Sequence, residues 1–198
     1  MLRFLSKRSR KWIDKLCRSD LLLGLIECLC VEKGESVRIY LGGAMFTYAD
    51  IVNNLRLAKK LRENGFTVYC PNENEGINDK TRTDITAEKI YMADIIELEN
   101  SNIFLCQISE DSGTMWEAGY MDCLSKNVDS KKYFGVIGLA TDIRLQTTPD
   151  LMKRGIDNQS MYLNQFVIGG SKQSLGVFTD EDELILRLKR LQNNDKDR

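Results

Sequence analysis

The stretch that decides the fold spans residues 103–120 and reads IFLCQISEDSGTMWEAGY. A short apolar run ends at a cluster of acids and small residues, and a segment with helical character follows it. This pattern predicts a strand that feeds a helix through a tight turn. In an open α/β sheet, ligands bind at the carboxyl ends of the strands. Asp111 and Glu117 are therefore candidate site residues.

The same stretch supports a second interpretation, because Thr114 and Glu117 fit the S/T-x-x-E pattern of a capping box. In a capping box, the Glu117 side chain would only reach back to the backbone amide of Thr114 and start a helix. Spacing alone favours the capping box, whereas residues elsewhere in the chain favour a chemical role for Glu117.

Composition favours a single α/β domain with appendages. The chain has 198 residues, of which 42% are hydrophobic and 29% are charged, which is enough for one sizeable core. The formal net charge of -1 gives no overall field that would attract nucleic acid. We therefore expect a small, weakly charged ligand and no nucleic-acid partner.

The cysteine pattern and the absence of histidine restrict the possible chemistry. The chain has no histidine, and its six cysteines form no CxxC pair, so we expect neither a zinc site nor Ser-His-Asp or Cys-His catalysis. Acid-base chemistry must then use carboxylates, Tyr, Lys or Cys, and we expect no metal and no cofactor. We interpret Cys70, Cys106 and Cys123 as core residues, the first two as free thiols of a reducing, cytoplasmic compartment.

The first 35 residues form a separate predicted unit. Residues 1–18 hold seven basic residues against one acid, with apolar residues interleaved, which suggests a basic amphipathic helical appendage. The apolar run at 21–31 is shorter than the about 20 residues of a membrane span. We expect the appendage to pack on the domain or on a second subunit, with weak membrane adsorption as the less favoured alternative. At the other end, residues 193–198 are expected to fray.

Between these ends, turn residues and apolar periodicity divide residues 36–192 into alternating strands and helices. Gly42 and Gly43 follow the first strand, where they permit a sharp turn and close approach of a ligand. The first predicted elements are a strand at 37–41, a helix from a Thr47 or Asp50 cap to Asn64-Gly65, a strand at 66–71 and a polar loop at 72–79. A helix from Asp84 to about Asn100, the strand and helix of 103–126 and a strand at 132–139 follow. The last two elements are a buried short helix at 161–168 and a final helix, which is capped by Thr179 or Asp180 and carries Leu184, Leu186, Leu188 and Leu191.

Three separated pieces of the chain together resemble one family. They are YLGGAMF at 40–46, Asp94 ahead of the pivotal strand, and DSGTMWEAGY at 111–120. The pattern is similar to the nucleoside 2-deoxyribosyltransferases over about residues 36 to 192. The resemblance implies a flavodoxin-like or Rossmann-like three-layer α/β sandwich with a mostly parallel sheet, and a homo-oligomer of two or more subunits. It also implies exchange of the base on a 2′-deoxyribonucleoside through a covalent deoxyribosyl-enzyme, with a nucleoside or nucleotide and a free base as partners.

The resemblance also assigns roles to residues. Glu117 stands at the nucleophile, Asp94 and Asp111 at acids that contact the base and sugar, and Tyr40 at an aromatic residue that positions the nucleophile. Looser matches are Gly43, Asp142, Arg144 and Asn164, the last near the sugar 5′-hydroxyl. In relatives that hydrolyse nucleoside 5′-monophosphates, donors such as those of Ser112, Gly113 and Thr114 would hold the phosphate.

General chemistry supports these roles. Cleavage of an N-glycosidic bond passes through an oxocarbenium-like state that one carboxylate can capture while a second acid protonates the departing base. We expect the helix dipole to keep Glu117 ionised, and burial to raise the pKa of Asp94.

Each assignment has a purely structural alternative. Glu117 could be a cap, Asp111 a turn or N-cap residue, Asp94 part of a solvated helix face, Tyr40 strand core and Asn164 a cap. We interpret Trp116 as a packing residue rather than a base-stacking one. Two functional alternatives also remain open, namely hydrolysis of the N-glycosidic bond of a nucleoside or its 5′-monophosphate, and a non-catalytic nucleotide sensor.

Overall fold

The computed structural model describes residues 37–79, 81–142 and 163–193, and every structural statement below concerns these residues. The predicted appendage at 1–35, residue Arg144 and all of the predicted fraying tail except Asn193 lie outside them. None of the helices within these ranges is long and apolar enough to cross a bilayer. Within the same ranges no group of three or more Cys, Asp or Glu side chains could hold a metal ion.

The described chain alternates strands and helices. In chain order the elements are β1 Arg38–Gly42, α1 Tyr48–Glu63, β2 Thr67–Tyr69, a 3-10 turn Pro71–Glu73, α2 Glu75–Asn78, α3 Ala87–Glu99, β3 Ile103–Gln107, α4 Ser112–Asn127, β4 Gly135–Leu139, α5 Gln165–Gln173, β5 Val177–Phe178 and α6 Glu181–Gln192.

The five strands form one sheet in the order β2-β1-β3-β4-β5, and every neighbouring pair is parallel. This strand order is that of the flavodoxin-like folds, so the predicted α/β class is confirmed, with a described sheet that is wholly parallel. The order reverses between β1 and β3. At such a reversal, the loops that follow the two strands diverge and leave a crevice for a ligand.

Helices cover both faces of the sheet and form two cores. On one face, Leu41 and Leu105 pack with buried leucines of α1 and α6. On the other face, Tyr40 and Phe104 pack with apolar residues of α3 and α4. The alternation between neighbouring residues of β1 follows from the two-residue period of a strand. The result is the predicted three-layer sandwich, with Tyr40 facing α3 and α4.

Local sequence signals explain where α1 and α6 begin and where α1 ends. Thr47 and Asp50, the two candidate caps, act together in a capping box, and Gly65 ends the helix region with a φ of 92°. The final helix starts at Asp180, whose side chain accepts hydrogen bonds from the amides of Asp182 and Glu183. Thr179 therefore does not cap that helix.

Several predictions for single segments were wrong. The helix expected at 161–168 begins at Gln165, and Phe166 is 91% exposed. Strand β5 was not predicted, because two residues are too few to show a strand period. The loop at 72–79 contains the 3-10 turn and α2, and the helix expected from Asp84 begins at Ala87. Leu186 of the final helix is exposed, whereas its other three leucines are buried.

The predicted state of the cysteines is confirmed in part. Cys70 and Cys106 are buried free thiols, as expected. Cys123, predicted to lie in the core, is exposed on α4. Cys123 precedes the buried Leu124, so it lies next to the core-facing side of the helix but not on it.

Candidate active site

Asp111 determines where helix α4 begins. One of its carboxylate oxygens accepts a hydrogen bond from the Gly113 amide at 3.2 Å, and the other accepts from the Thr114 amide at 3.1 Å and the Thr114 hydroxyl at 2.6 Å. Asp111 is thus the N-cap residue, and Thr114 lies inside the helix, where it is buried. The predicted Thr114–Glu117 capping box does not form, so the Glu117 carboxylate is available for another role.

Glu117 is paired with Tyr40 on the neighbouring strand. The Tyr40 hydroxyl donates a hydrogen bond to Glu117 Oε1 at 2.6 Å. The Tyr40 side chain is fully buried, and its ring centroid lies 5.0 Å from that of Tyr69 and 5.4 Å from that of Phe104. This packing leaves the ring little freedom, so the hydroxyl holds the carboxylate in one orientation.

The electrostatic environment of Glu117 differs from the expected one. Burial is the largest influence and raises the pKa of Glu117 to about 7, with further increases from the charges of Asp94 and Asp111, while the Tyr40 hydrogen bond lowers it. Glu117 lies in the second turn of α4, whereas the helix dipole acts mainly within the first turn. The expectation that the dipole keeps this carboxylate readily ionised is therefore wrong.

Asp94 of α3 lies beside this pair. It is partly buried, and its buried Oδ1 has no hydrogen-bond partner in the described chain. Burial is the main cause that raises the pKa of Asp94, while a hydrogen bond with Tyr40 lowers it. Interpretation of Asp94 as part of a solvated helix face is therefore wrong.

Both acids line one cleft between α3 and α4, which we call the Glu117 cleft. Its volume is about 260 Å³, and its lining residues are Tyr91, Asp94, Ile95, Leu98, Gly113, Trp116 and Glu117. None of these lining residues is a cation. An apolar cleft with two carboxyl groups of raised pKa can both attack an electrophilic carbon and move a proton.

Trp116 and Tyr91 were not predicted to belong to the site. Trp116 is 70% exposed, so it does not pack in the core of the described chain. Tyr91 was not considered, although its position three residues before Asp94 places both on one side of a helix. That spacing was the available signal.

Gly42 and Gly43 serve packing within the chain. A Cβ at Gly42 would lie 2.1 Å from the buried Phe104 ring, and one at Gly43 would lie 2.5 Å from the Gln107 side chain. Neither glycine lines the Glu117 cleft. The predicted contact between Gly43 and substrate stays a prediction, but contacts within the protein are sufficient to explain both glycines.

Beside Gly43, four amide side chains join the carboxyl ends of three strands; we call them the amide cluster. Gln107 accepts from Asn53 at 2.7 Å and donates to Asn54 at 2.6 Å. Asn54, which is buried, donates to Asn72 at 2.9 Å and to the Ala44 carbonyl at 3.0 Å. The cluster fixes the loops after β1 and β2 relative to β3. Sequence reasoning missed it, because its members are dispersed along the chain.

The remaining predicted residues lie outside the cleft lining. Asn164 is the N-cap of α5, where its side chain accepts from the amides of Phe166 and Val167. Ser112 is the exposed first residue of α4, and Asp142 is a partly buried residue after β4. Substrate contacts of these residues stay predictions. A larger groove of about 470 Å³ between α4 and α5, lined in part by Phe166, contains neither acid.

Comparison with known proteins agrees with the fold. A conserved protein from Enterococcus faecalis V583 has a crystal structure similar to this chain, with 26% sequence identity and a TM-score of 0.63; the match covers 79% of this chain and 99% of that chain. A 2-deoxyribosyltransferase from the psychrotolerant bacterium Bacillus psychrosaccharolyticus matches at 17% identity and a TM-score of 0.51, covering 75% of this chain and 90% of that one. The second likeness supports the fold alone. No match was found among curated proteins.

The sequence itself matches a known family over residues 39–165, which is more than half of the chain. The matched range includes Tyr40, Asp94, Asp111 and Glu117. The chain belongs to the nucleoside 2-deoxyribosyltransferase family.

Proposed function

We propose that this protein transfers 2-deoxyribose from one nucleobase to another by a retaining double displacement through a covalent deoxyribosyl-Glu117 intermediate. Family membership supports nucleoside deoxyribosyl transfer as the general activity. One observation carries the specific proposal, namely that a carboxylate held by Tyr40 shares a cleft with Asp94, whose buried Oδ1 lacks a partner.

In the first half-reaction, a Glu117 carboxylate oxygen attacks C1′ of the donor nucleoside as the bond from C1′ to the base nitrogen breaks. The electron pair of that bond stays on the base, and the proton of Asp94 moves to the base. The products are a free base and an ester between C1′ and Glu117, with inverted configuration at C1′.

In the second half-reaction, a nitrogen of the acceptor base attacks C1′ and the ester bond to Glu117 breaks. The carboxylate of Glu117 is regenerated, Asp94 recovers a proton from the acceptor base, and the second inversion restores the original configuration. No cofactor takes part. The hydrogen bond to Oε1 would orient the carboxylate so that Oε2 can reach C1′.

The two acids need opposite protonation states in this reaction, although burial raises the pKa of both and a hydrogen bond with Tyr40 lowers the pKa of both. Glu117 receives a hydrogen bond from Tyr40, which stabilises the ionised form, whereas Oδ1 of Asp94 lacks a described donor. A buried carboxyl oxygen without a donor favours the protonated form. Glu117 would therefore act as the nucleophile and Asp94 as the proton donor.

The hydrolytic alternative for 5′-monophosphates has less support. Two of its expected phosphate donors, the amides of Gly113 and Thr114, already donate to Asp111. The predicted homo-oligomeric state and cytoplasmic location stay predictions.

The test is incubation of the full chain with 2′-deoxyinosine, with and without adenine, followed by chromatography of the products. Formation of 2′-deoxyadenosine only when adenine is present supports transfer. Free hypoxanthine without adenine, at the same rate as with it, would instead indicate hydrolysis. No product from any deoxynucleoside would favour the sensor.

Glu117→Gln tests the nucleophile, and Glu110→Gln is the matched control, since Glu110 is an exposed carboxylate in the loop between β3 and α4. We expect Glu117→Gln to lower kcat by about 10³-fold or more and Glu110→Gln to leave it unchanged. Rapid quenching of the wild type with donor alone should leave one deoxyribosyl group on the peptide that contains Glu117. Wild-type turnover by the Gln variant would refute the mechanism.

A further inference from the structure

Two large aromatic side chains of the Glu117 cleft are unusually exposed. Trp116 is 70% exposed and Tyr91 is 48% exposed, and both line the cleft. The described chain does not bury either ring, although burial of an aromatic side chain is favourable. Part of each ring is therefore available to a ligand in the cleft.

Each aromatic residue adjoins one of the two acids. Trp116 immediately precedes Glu117 on α4, and Tyr91 lies one helical turn before Asp94 on α3. Buried Ile95 and Leu98 supply the apolar part of the lining between them. The aromatic residues thus stand on two rigid helices, one on each side of the cleft.

The proposed reaction limits where a nucleobase can lie. Its C1′ must lie within bonding reach of Glu117 while a base nitrogen lies within hydrogen-bonding reach of Asp94. The base would then occupy the cleft between α3 and α4. A nucleobase is a planar π system, and every nucleobase can stack on an aromatic side chain.

We propose that Trp116 and Tyr91 form the nucleobase subsite of this cleft and bind the base by stacking against its faces. This inference rests on the proposed function of the same site. It assigns base affinity to Trp116 and Tyr91, and leaves the chemistry to Glu117 and Asp94.

The expected effects follow from stacking energies. Loss of one stacking partner typically weakens base binding by about 10-fold, so we expect that increase in KM for Trp116→Ala and for Tyr91→Ala, with kcat nearly unchanged. Trp116→Phe keeps an aromatic face and should restore most of the affinity. Phe166→Ala is the matched control, because Phe166 is 91% exposed but lines the groove on the other side of α4.

A binding measurement separates this inference from the proposed function. The chain has two tryptophans, Trp12 and Trp116, so Trp116 is the sole tryptophan reporter in a Trp12→Phe background. We expect adenine to quench its fluorescence saturably, with a dissociation constant that rises about 10-fold in Tyr91→Ala and not in Phe166→Ala. Calorimetric titration of Trp116→Ala and Trp116→Phe with adenine completes the series.

The outcomes are distinguishable. If adenine quenches Trp116 and both alanine variants bind it weakly, but the wild type transfers no deoxyribose, the subsite stands and the proposed function falls. If the wild type transfers deoxyribose and both alanine variants keep its KM and adenine affinity, the subsite is refuted and the function stands. A change of oligomeric state in the alanine variants with unchanged adenine affinity would also refute it, since the rings would then be subunit contacts.

Discussion

The hydroxyl of Tyr40 and the carboxylate of Glu117 meet although 77 residues separate them in the chain. Strand β1 fixes one partner and helix α4 the other, and the short hydrogen bond opposes the effect of burial on the carboxyl group. Burial nevertheless has the larger effect and raises the pKa of Glu117 to about 7. The pKa of the nucleophile thus lies well above the usual value for a glutamate.

Replacement of Tyr40 by Phe should move the pH dependence of activity in a defined direction. Loss of the donor destabilises ionised Glu117, so its pKa rises further above about 7. Because the nucleophile acts when ionised, the acidic limb of the kcat/KM profile should shift to higher pH. Activity at pH 7 should fall, by up to about 10-fold for each unit of that shift.

Tyr69→Phe is the matched control for this variant. Its ring packs on Tyr40, but its hydroxyl accepts a hydrogen bond from Asn74 rather than contacting Glu117. We expect its profile to keep the wild-type acidic limb. An unshifted limb in Tyr40→Phe would contradict the proposed control of ionisation.

Single residues also show the limit of sequence reasoning about the site. Residues 40, 94, 111 and 117 could be selected as candidate site residues from motifs, since each lies in or beside a short, distinctive pattern. The direction of the pKa shift of Glu117 could not be predicted from the sequence, because the burial of this side chain depends on how α3, α4 and β1 pack together. Local position suggested the helix dipole, and tertiary burial outweighed it.

At the scale of elements, the carboxyl end of β1 depends on close contact with β3. Gly42 and Cys106 are paired in the sheet register, and the Phe104 ring covers the Gly42 Cα. No side chain fits between them without displacement of a buried ring. This contact places the loop after β1 next to the amide cluster.

Gly42→Ala should therefore destabilise the protein. Its Cβ would approach Phe104 Cζ to 2.1 Å, and overpacking of a core typically costs about 1 to 3 kcal/mol. Gly119→Ala is the control, because Gly119 lies within α4 and its added Cβ would have no atom within 4 Å apart from its chain neighbours and the backbone of its own helix. This change should be neutral or stabilising by up to about 1 kcal/mol. Chemical denaturation measures both, and equal effects would contradict this account.

The elements differ in how well sequence could predict them. Strands β1 and β3 and helices α1 and α4 have clear apolar patterns and turn residues, and their predicted bounds agree with the structure within three residues. The start of α4 shows a subtler limit, since Asp111 and Thr114 are both good caps and the choice depends on the turn that leaves β3. Strand β5 is defined only by its pairing with β4.

For the whole molecule, the last helix completes the core on the α1 side of the sheet. Leu184, Leu188 and Leu191 of α6 are buried with the apolar residues of β1 and β3. A partly exposed ion-pair group adds to this contact, in which Arg56 and Lys60 of α1 bind Glu181 at the start of α6. Exposed ion pairs contribute little, so apolar burial should dominate the docking of α6.

Leu188→Ala should accordingly lower the free energy of unfolding by about 2 to 5 kcal/mol. Leu186→Ala provides the comparison two residues away, because Leu186 is 56% exposed whereas Leu188 is fully buried; its effect should stay within about 0.5 kcal/mol. Thermal unfolding of both variants checks this, with about 2 to 4 °C expected per kcal/mol for a chain of this size. Similar melting temperatures would show that α6 is not a structural part of the domain.

The cap that Asp111 places on α4 also limits how this protein can change over evolutionary time. Each residue gained or lost between the cap and Glu117 would rotate the rest of the helix by about 100°, turning the carboxylate away from Tyr40. Substitutions at 112, 113, 115 and 116 leave this phase intact. A one-codon insertion or deletion in that interval should therefore abolish activity while the sheet still folds. Selection for activity thus constrains the length of this segment more strongly than its sequence.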